Sequence, residues 1–532
     1  MAKARAHAPN QPALDLERIL EMAKRTPYYE ECLEAIDLLT NPARWSYAET
    51  TTSESIPPSR VRKDFVDDMV KSDIITEFDG TPLAWGLLTA KAEPGKAPPR
   101  WRMISDMLWS NATLDESRKV ILSTMEELLA MGARNKYGAT FDFQGWFYSL
   151  PVGEWVQPYT CFLHNGKIYA HKRGPMGHKW FVFIAHTLTK VIAWDPTVEI
   201  DVIIDNVFYA SNDEAVLNKA RAGFITRSEN VLATLGEATP PSPTVTYRGL
   251  VITMGQSVTV KTSWLEKLRR RIDICCAPDQ PTAAMLFSLG GMISWLRGIL
   301  GDQLLDNYWM WRTIAKAATC DQWKRIELTE HSRNALKAIS QWSTTAPEKD
   351  IRTRTRPKTL IVTDASLAKP LGRWGAMTVT STLRCFGGLF PIPLCKVASI
   401  ADLETAAILL TLYASPGLRN SDIHAVTDNQ VTDLVLRKRR CSAWRLHSFC
   451  KAIHANVSAL GSNLTTSWIP SAANPTDGIS RGHEVTEQDV AQLQTLTRKF
   501  GMEWEGISYT NRNILIMEVS ECNDVLLKCL SK

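Results

Sequence analysis

Ile200-Asp201-Val202-Ile203-Ile204-Asp205-Asn206-Val207-Phe208-Tyr209 is the stretch on which the reading of the chain turns. Two apolar, β-branched-rich arms, Val202–Ile204 and Val207–Tyr209, flank the dipeptide Asp205-Asn206. Both residues of the dipeptide tolerate left-handed geometry, so the pattern predicts a tight hairpin with Asp205-Asn206 as its tip. Such a turn holds a carboxylate rigidly at the end of a ribbon, where a metal ion can sit. An ordinary surface hairpin carries the same local pattern, so the flanking chain decides between the two.

The bulk numbers bound the possibilities. With 532 residues the chain exceeds a single ordinary core, and three or more domains are expected. Hydrophobic content of 45% and charged content of 22% are those of a globular protein. The net charge of +5 is small, but basic residues clump at Lys267–Arg271, Arg352–Arg356 and Arg437–Arg440. Clumps of this kind suit a polyanion, and equally a solvated face. Eleven scattered cysteines, with no Cys-x-x-Cys and no Cys/His cluster at zinc spacing, exclude a disulfide scaffold and imply a reducing compartment. Met285–Leu300 is the most apolar helical segment, carries Arg297 and is too short to span a bilayer. The opening residues lack the apolar core of a secretion signal. The expectation is a protein that is not secreted, has no membrane partner and is intracellular, cytoplasmic or nuclear.

Upstream of the hairpin, residues 1–55 form a helical extension without visible chemistry. Val61–Ser72 has the spacing of an amphipathic helix. The Pro/Gly-rich loop Ala92–Pro99 runs into Arg100-Trp101-Arg102, where Lys96, Arg100 and Arg102 can grip phosphates or simply edge a basic strand. A helix is predicted over Leu114–Ala130. Ala139–Phe143 then reads as a strand carrying Asp142, followed by the aromatic run Trp146-Phe147-Tyr148. The turn Gly174–Lys179 precedes an apolar helix over Trp180–Trp194, and Val245–Ile252 makes a further strand pair.

Taken in order, Arg102-x-x-x-Asp106, Phe141-Asp142-Phe143 through Pro151, Pro175-Met176-Gly177-His178-Lys179, Ile204-Asp205-Asn206 and Tyr247-Arg248-Gly249-Leu250 resemble the motif series of reverse transcriptases. The resemblance covers roughly residues 60–255 and implies fingers and palm of a right-hand polymerase. It implies that Asp142 and Asp205, with the Phe143 carbonyl, hold two Mg2+ ions (Mn2+ being an alternative) for nucleotidyl transfer. It also implies that Arg102, with Lys96 and Arg100, contacts the triphosphate of an incoming deoxynucleotide. Met176, Gly177 and Lys179 fall at substrate-contacting motif positions. Phe147 falls where the family places a ring that excludes a 2′ hydroxyl, although a plain core role fits it too. The sequence departs from the family at three points. Asn206 stands for a second aspartate, Ile203 for a tyrosine and Met176 for a glutamine, changes that bear on rate and fidelity.

From Gln256 to Trp342 the pattern is helical, with Trp295, Trp309 and Trp311 expected in a core. Pro347–Pro357 reads as a charged linker. Beyond it, Thr359–Asp364 is a buried strand ending in an acid, and Trp374–Thr380 and Gly387–Pro391 are two more strands. Ser399 and Asp402 form a capping box for a helix bearing Glu404. Ile423–Asp428 is another strand ending in an acid, and Pro470–Arg481 places Asp477 after a loop. This order resembles a ribonuclease H domain over residues 359–485. It implies metal-ligand roles for Asp364, Glu404, Asp428 and Asp477, again with two ions. No histidine-bearing loop precedes Asp477. The form Pro470-Ser471-Ala472-Ala473-Asn474-Pro475-Thr476-Asp477 through Ser480-Arg481 is similar to that of hepadnaviruses and of tyrosine-recombinase (DIRS-class) retrotransposons, trypanosomatid elements among them; long-terminal-repeat polymerases are more distant.

The expected architecture is α+β and multidomain. Residues 1–55 are the extension, 56–255 fingers and palm, and 256–345 a helical thumb and connection. A linker over 346–358 leads to an α/β ribonuclease H-like domain at 359–485 and a tail at 486–532. The expected function is RNA-directed DNA polymerase with ribonuclease H, taking RNA template, DNA primer, RNA–DNA hybrid and deoxynucleoside triphosphates. A recombinase or integrase is expected on another chain. The competing reading is an attenuated or domesticated nucleic-acid-binding protein in which only the nuclease is active.

Overall fold

The computed structural model describes residues 5–7, 9–45, 58–93, 100–107, 110–111, 120–300, 307–345, 348–352, 356–415, 417–502, 516–518 and 526–527. It is a mixed α+β structure in two compact units, Met1–Lys261 with Glu348–Thr353, and Thr262–Pro347 with Arg354–Lys532. Lys96 lies outside the described residues, as does Leu114 at the start of the helix expected over Leu114–Ala130. That helix spans Met125–Arg134. Its start is set by Thr124, whose hydroxyl accepts from Glu127 N–H while the Glu127 carboxylate accepts from Thr124 N–H. Two donors that the first turn leaves orphaned are thereby satisfied reciprocally.

The first unit is organised on a sheet of β1 (Tyr137–Phe143), β2 (Glu199–Ile203), β3 (Asn206–Ser211) and β4 (Leu235–Ala238). The strand order is β4-β1-β3-β2, every neighbouring pair antiparallel. Helix α1 (Lys179–Ala193) is apolar around most of its circumference, as a helix sunk in a core must be. Phe181, Ile184, Leu188 and Ile192 are fully buried in one core with Phe141, Tyr209 and Phe224. Phe224 belongs to α2 (Glu214–Asn230), whose first turn is capped by Asp213 accepting from Ala215 and Val216 N–H. Strands Leu87–Glu93 and Arg100–Asp106 pair antiparallel in a separate sheet.

The expected all-helical pattern from Gln256 is corrected at its start. Ser257–Val260 is a strand, pairing with Leu250–Thr253 on one side and Lys349–Asp350 on the other. Ladder pairing on both sides, with Val258 and Val260 buried, is that of a strand. The same pairing takes Lys349–Asp350 out of the expected linker. Helices follow at Thr262–Cys276, Ala283–Trp295, Tyr308–Ala318 and Glu330–Thr345. Of the three tryptophans expected in their core, Trp311 is buried and Trp295 half-buried, its ring tilted against Trp264 at 4.7 Å. Trp309 is exposed and stacks on His331. An indole can lie flat on a neighbouring ring at the surface and stay wet on its other face.

The second unit carries β5 (Lys358–Ala368), β6 (Leu371–Val379), β7 (Leu383–Leu389), β8 (Asp422–Thr427) and β9 (Asn463–Trp468). Their order is β9-β8-β5-β6-β7, with Ile516–Glu518 added beside β7. The β5–β6–β7 run is antiparallel, while β8 and β9 join in parallel. Helix α3 (Ile400–Ala414) lies on this sheet, buried from Asp402 to Leu412 and started by the Ser399/Asp402 capping box. Helices α4 (Gln430–Lys438) and α5 (Trp444–Ala459) complete the layer. Tyr308, at the start of the helix Tyr308–Ala318, meets Trp444 of α5 edge-on at 4.8 Å. Among the described residues no helix is long and apolar enough to cross a membrane.

Candidate active sites

The hairpin forms, but its tip is shifted by one residue from the expected Asp205-Asn206. Ile203 pairs with Asn206, leaving Ile204-Asp205 as the two-residue turn. Asn206 is the first residue of β3 because its backbone is already opposite Asp142 on β1. Ile204 takes φ +53°. A β-branched residue rarely adopts that conformation, which costs on the order of 1–3 kcal/mol. The strained turn is tied down by neighbours: Ile204 N–H donates to His186 Nδ1 at 3.3 Å, and Phe143 N–H donates to the Asp205 carbonyl at 3.1 Å. Burial holds His186 down at about 4, so its ring is neutral and has an acceptor nitrogen to offer.

Asp142 and Asp205 share the wall of a cleft of about 680 Å3 with Arg100, Arg102, Phe147 and Met176. Arg100 and Arg102 are two apart on one strand, hence on one face, and both ion-pair with Glu93, Arg102 at 3.1 Å. Asp142 is pushed up to about 6, first by burial and then by the charges of Asp205 and Glu237; Arg102 opposes the shift. Asp205 is also raised, by burial, against hydrogen bonds that include Asn206 Nδ2 at 2.8 Å. Two neighbouring carboxylates whose values burial raises are a set that a hard cation would complete.

The aromatic run after Asp142 divides by side. Trp146 stacks on Phe143 at 4.1 Å and donates to the Ala185 carbonyl at 3.1 Å, while Tyr148 is buried. Phe147 between them is half-buried and lines the cleft. Met176 lines the cleft, whereas Gly177 and Lys179 are occupied elsewhere. Gly177 has φ +104°, and a Cβ there would lie 2.2 Å from the Ser105 carbonyl oxygen, so only glycine fits. Asn111 binds this turn by donating to the Gly177 carbonyl at 2.7 Å and accepting from Lys179 N–H at 2.9 Å. Lys179 Nζ donates to the Asn111 carbonyl at 2.7 Å.

Glu237 was not singled out by sequence reasoning. A bulge at Gly236 on β4 places Glu237 opposite Asp142, and it also lines the cleft. Directly opposed residues share a sheet face, so Glu237, Asp142 and Asn206 form a row across three strands. The carboxylate lacking at Asn206 is thus present on the other flank of Asp142. No local pattern marks Glu237; only the bulge brings it into register.

In the second unit, Asp364, Glu404 and Asp428 each offer an oxygen within 4.8 Å of the others, a cluster able to hold a metal ion. Asp364 ends the inner part of β5, Asp428 follows β8, and Glu404 projects from α3. Asp364 is pushed up to about 7 by burial and by the charges of Asp428 and Asp477, against a hydrogen bond from Ser480 and the charge of Arg481. Glu404 is pushed up to about 9 by burial and then by Asp364 and Asp428. One Glu404 oxygen accepts from Ala365 N–H at 3.0 Å. The other is buried without a hydrogen-bond partner among the described residues. An orphaned buried carboxylate oxygen facing two more acids fits a cation. Asp477 lies outside this three-residue cluster, half-exposed and paired with Arg481 at 2.7 Å. The indole N–H of Trp468 donates to the Asp428 carbonyl at 2.8 Å, a contact the sequence reading did not identify.

No protein-family model matches the chain. No curated protein matches it either. Among solved structures it is similar to the foamy viral protease-reverse transcriptase in three complexes. With double-stranded DNA, in the form designated dRH, identity is 14%, TM-score 0.44, and 86% of this chain and 83% of that chain are covered. With RNA/DNA hybrid the identity and TM-score are the same, over 86% of this chain and 63% of that one. With double-stranded DNA in a third structure the TM-score is 0.43 at 14% identity, covering 86% of this chain and 97% of that chain.

Proposed function

We propose that the chain is an RNA-directed DNA polymerase with ribonuclease H activity, of the retroelement kind. The observation that carries this reading is the presence of two separate acidic centres in one chain, one on an antiparallel hairpin sheet and one on a mixed sheet. In this reading residues 56–255 are fingers and palm, 256–345 thumb and connection, and 359–485 the nuclease. Asp142, Asp205 and the Phe143 carbonyl would hold Mg2+ in the first centre; Asp364, Glu404, Asp428 and Asp477 would hold it in the second. Bound there, such ions supply charge stabilisation to the attacking and leaving oxygens of an in-line phosphoryl displacement. Arg102, with Arg100 and Lys96, binds the triphosphate as a fixed fork of donors. Phe147 closes the space beside the sugar, and Met176 borders the templating pair. The acids of the second centre would orient the scissile phosphate of the RNA strand of a hybrid through the cations they hold, since bare carboxylates repel it.

Primer extension on an RNA template, wild type against Asp142→Ala, tests the polymerase half. DNA synthesis surviving the substitution sinks it. Phe147→Ala should reduce discrimination against ribonucleotides about 10–100-fold, the scale of a lost steric contact in a pocket. A second reading, an attenuated polymerase beside an active nuclease, is favoured by Asn206, which donates to Asp205 where a second carboxylate would bind cation. Hybrid cleavage without any primer extension would select it.

A further inference from the structure

We propose that Ser480 and Asn474 are positioning residues that hold Asp364 for metal binding, and that Gly375 is what admits them. The inference rests on the nuclease reading of the second centre. Its starting point is register: Asp364 on β5 and Gly375 on β6 are direct cross-strand partners. A Cβ at position 375 would lie 2.6 Å from Ser480 N and 2.7 Å from Ile479 Cβ. Without a side chain there, the short helix α6 (Asp477–Ser480) settles directly over the sheet beside Asp364.

Each oxygen of Asp364 then receives a donor. Ser480 is fully buried, and its hydroxyl, which also lies 3.0 Å from the Asp477 carbonyl, donates at its shorter contact to Asp364 Oδ2. Its carbonyl in turn accepts from Ser366 Oγ at 2.6 Å, which fastens α6 to β5. Asn474 Nδ2 lies 3.3 Å from Asp364 Oδ1 and 3.0 Å from the Thr363 carbonyl. The amide cannot turn over, because Asn474 Oδ1 accepts from Thr476 N–H at 3.1 Å and from Thr476 Oγ1 at 2.7 Å. A carboxylate oxygen has two lone-pair sites, so one donor on each fixes the rotamer and leaves one site per oxygen for a ligand. Both donors are uncharged. They orient Asp364 without cancelling its charge, as a lysine or arginine would in competition with a cation. Neutral partners of this type tune metal affinity through ligand orientation.

The test uses the full-length chain with Asp142→Asn and Asp205→Asn, so that the other acidic centre does not contribute. Ser480→Ala should raise the Mg2+ concentration for half-maximal hybrid cleavage about 10–100-fold and weaken Mn2+ binding in titration calorimetry by a similar factor. Ser480→Thr, which keeps the hydroxyl, should restore both; Gly375→Ala, which displaces α6, should reproduce the defect. Should Ser480→Ala fail to fold, Asn474→Leu removes the other donor at similar volume and should show the same weakening. Wild-type Mg2+ dependence and Mn2+ affinity in a folded Ser480→Ala or Asn474→Leu chain would overturn the proposal. If the parent chain cleaves no hybrid, the nuclease reading falls by itself, and the calorimetric comparison still decides the role of Ser480.

Discussion

The two acidic centres solve one electrostatic problem in different ways. In the first unit the acids line an open cleft, and a cation stands among them: Arg102 opposes the upward shift of Asp142. In the second, Asp364 and Glu404 are sealed between sheet and helix and are met by backbone and hydroxyl donors. Glu404 is consequently raised to about 9, against about 6 for Asp142. In the proposed reading the open cleft receives a polyanionic substrate on Arg100 and Arg102, whose charge Glu93 partly offsets. In the second centre too a cation, Arg481, opposes the rise of Asp364, but the direct partners of Asp364 and Glu404 are neutral donors, and burial keeps both values high.

The largest effect should come from removing one acid at each centre. Asp142→Asn should abolish DNA synthesis and Asp428→Asn should abolish hybrid cleavage. Each loss should be about 1,000-fold or more, equivalent to about 4 kcal/mol of transition-state stabilisation. Each variant should leave the other activity intact. Parallel primer-extension and hybrid-cleavage assays on both variants check this. If either substitution removes both activities, the centres do not act separately and the comparison fails.

A second, smaller effect should distinguish sealed from open. A carboxyl with a raised folded-state value binds more protons folded than unfolded between its ordinary value, about 4, and the raised one. Stability from such a group therefore falls as pH rises through that window. For Asp364 the window ends at about 7 and for Glu404 at about 9. Metal-free Glu404→Gln should accordingly melt higher than wild type at pH 8 and close to it at pH 4. A gain of about 1–3 kcal/mol corresponds to several degrees, at roughly 2–4 °C per kcal/mol for a unit of this size. Mg2+ should stabilise the wild type at pH 8 and not Glu404→Gln. Melting curves at the two pH values, with and without Mg2+, measure both. A Glu404→Gln chain that melts lower at pH 8 would mean that the carboxylate is already compensated by protein groups.

How much of this was legible in the sequence follows from what kind of interaction sets each feature. The strands that carry Asp142 and Asp364, and the one before Asp428, were readable because apolar, β-branched runs signal strands locally, although β5 continues to Ala368, past the end expected at Asp364. The Ser399/Asp402 capping box was readable because it is closed within four residues. The hairpin was readable, but its exact tip was not. Asp205-Asn206 has the better turn chemistry, and the register against β1 overrides it to strain Ile204 instead. Glu237 and Gly375 were illegible for a related reason: their importance lies in a cross-strand neighbour more than ten residues away. Lys179 looked like a substrate contact from its motif position, while Asn111, which engages it, belongs to no recognisable pattern.

The smallest predicted effect probes the row Glu237–Asp142–Asn206. Glu237 raises Asp142 through its charge, so Glu237→Gln should let Asp142 ionise at lower pH and move the acid limb of DNA synthesis downward. Asn206→Asp should move the limb upward, because it replaces a donor to Asp205 by a further negative charge beside Asp142. Profiles of kcat/KM against pH, measured at saturating Mg2+, report both displacements. Opposite movement would establish that the flank of Asp142 facing β4 supplies charge that the hairpin side lacks. If Glu237→Gln leaves the limb in place while Asn206→Asp moves it, Glu237 is a solvated edge residue, and the open cleft works with the two aspartates alone.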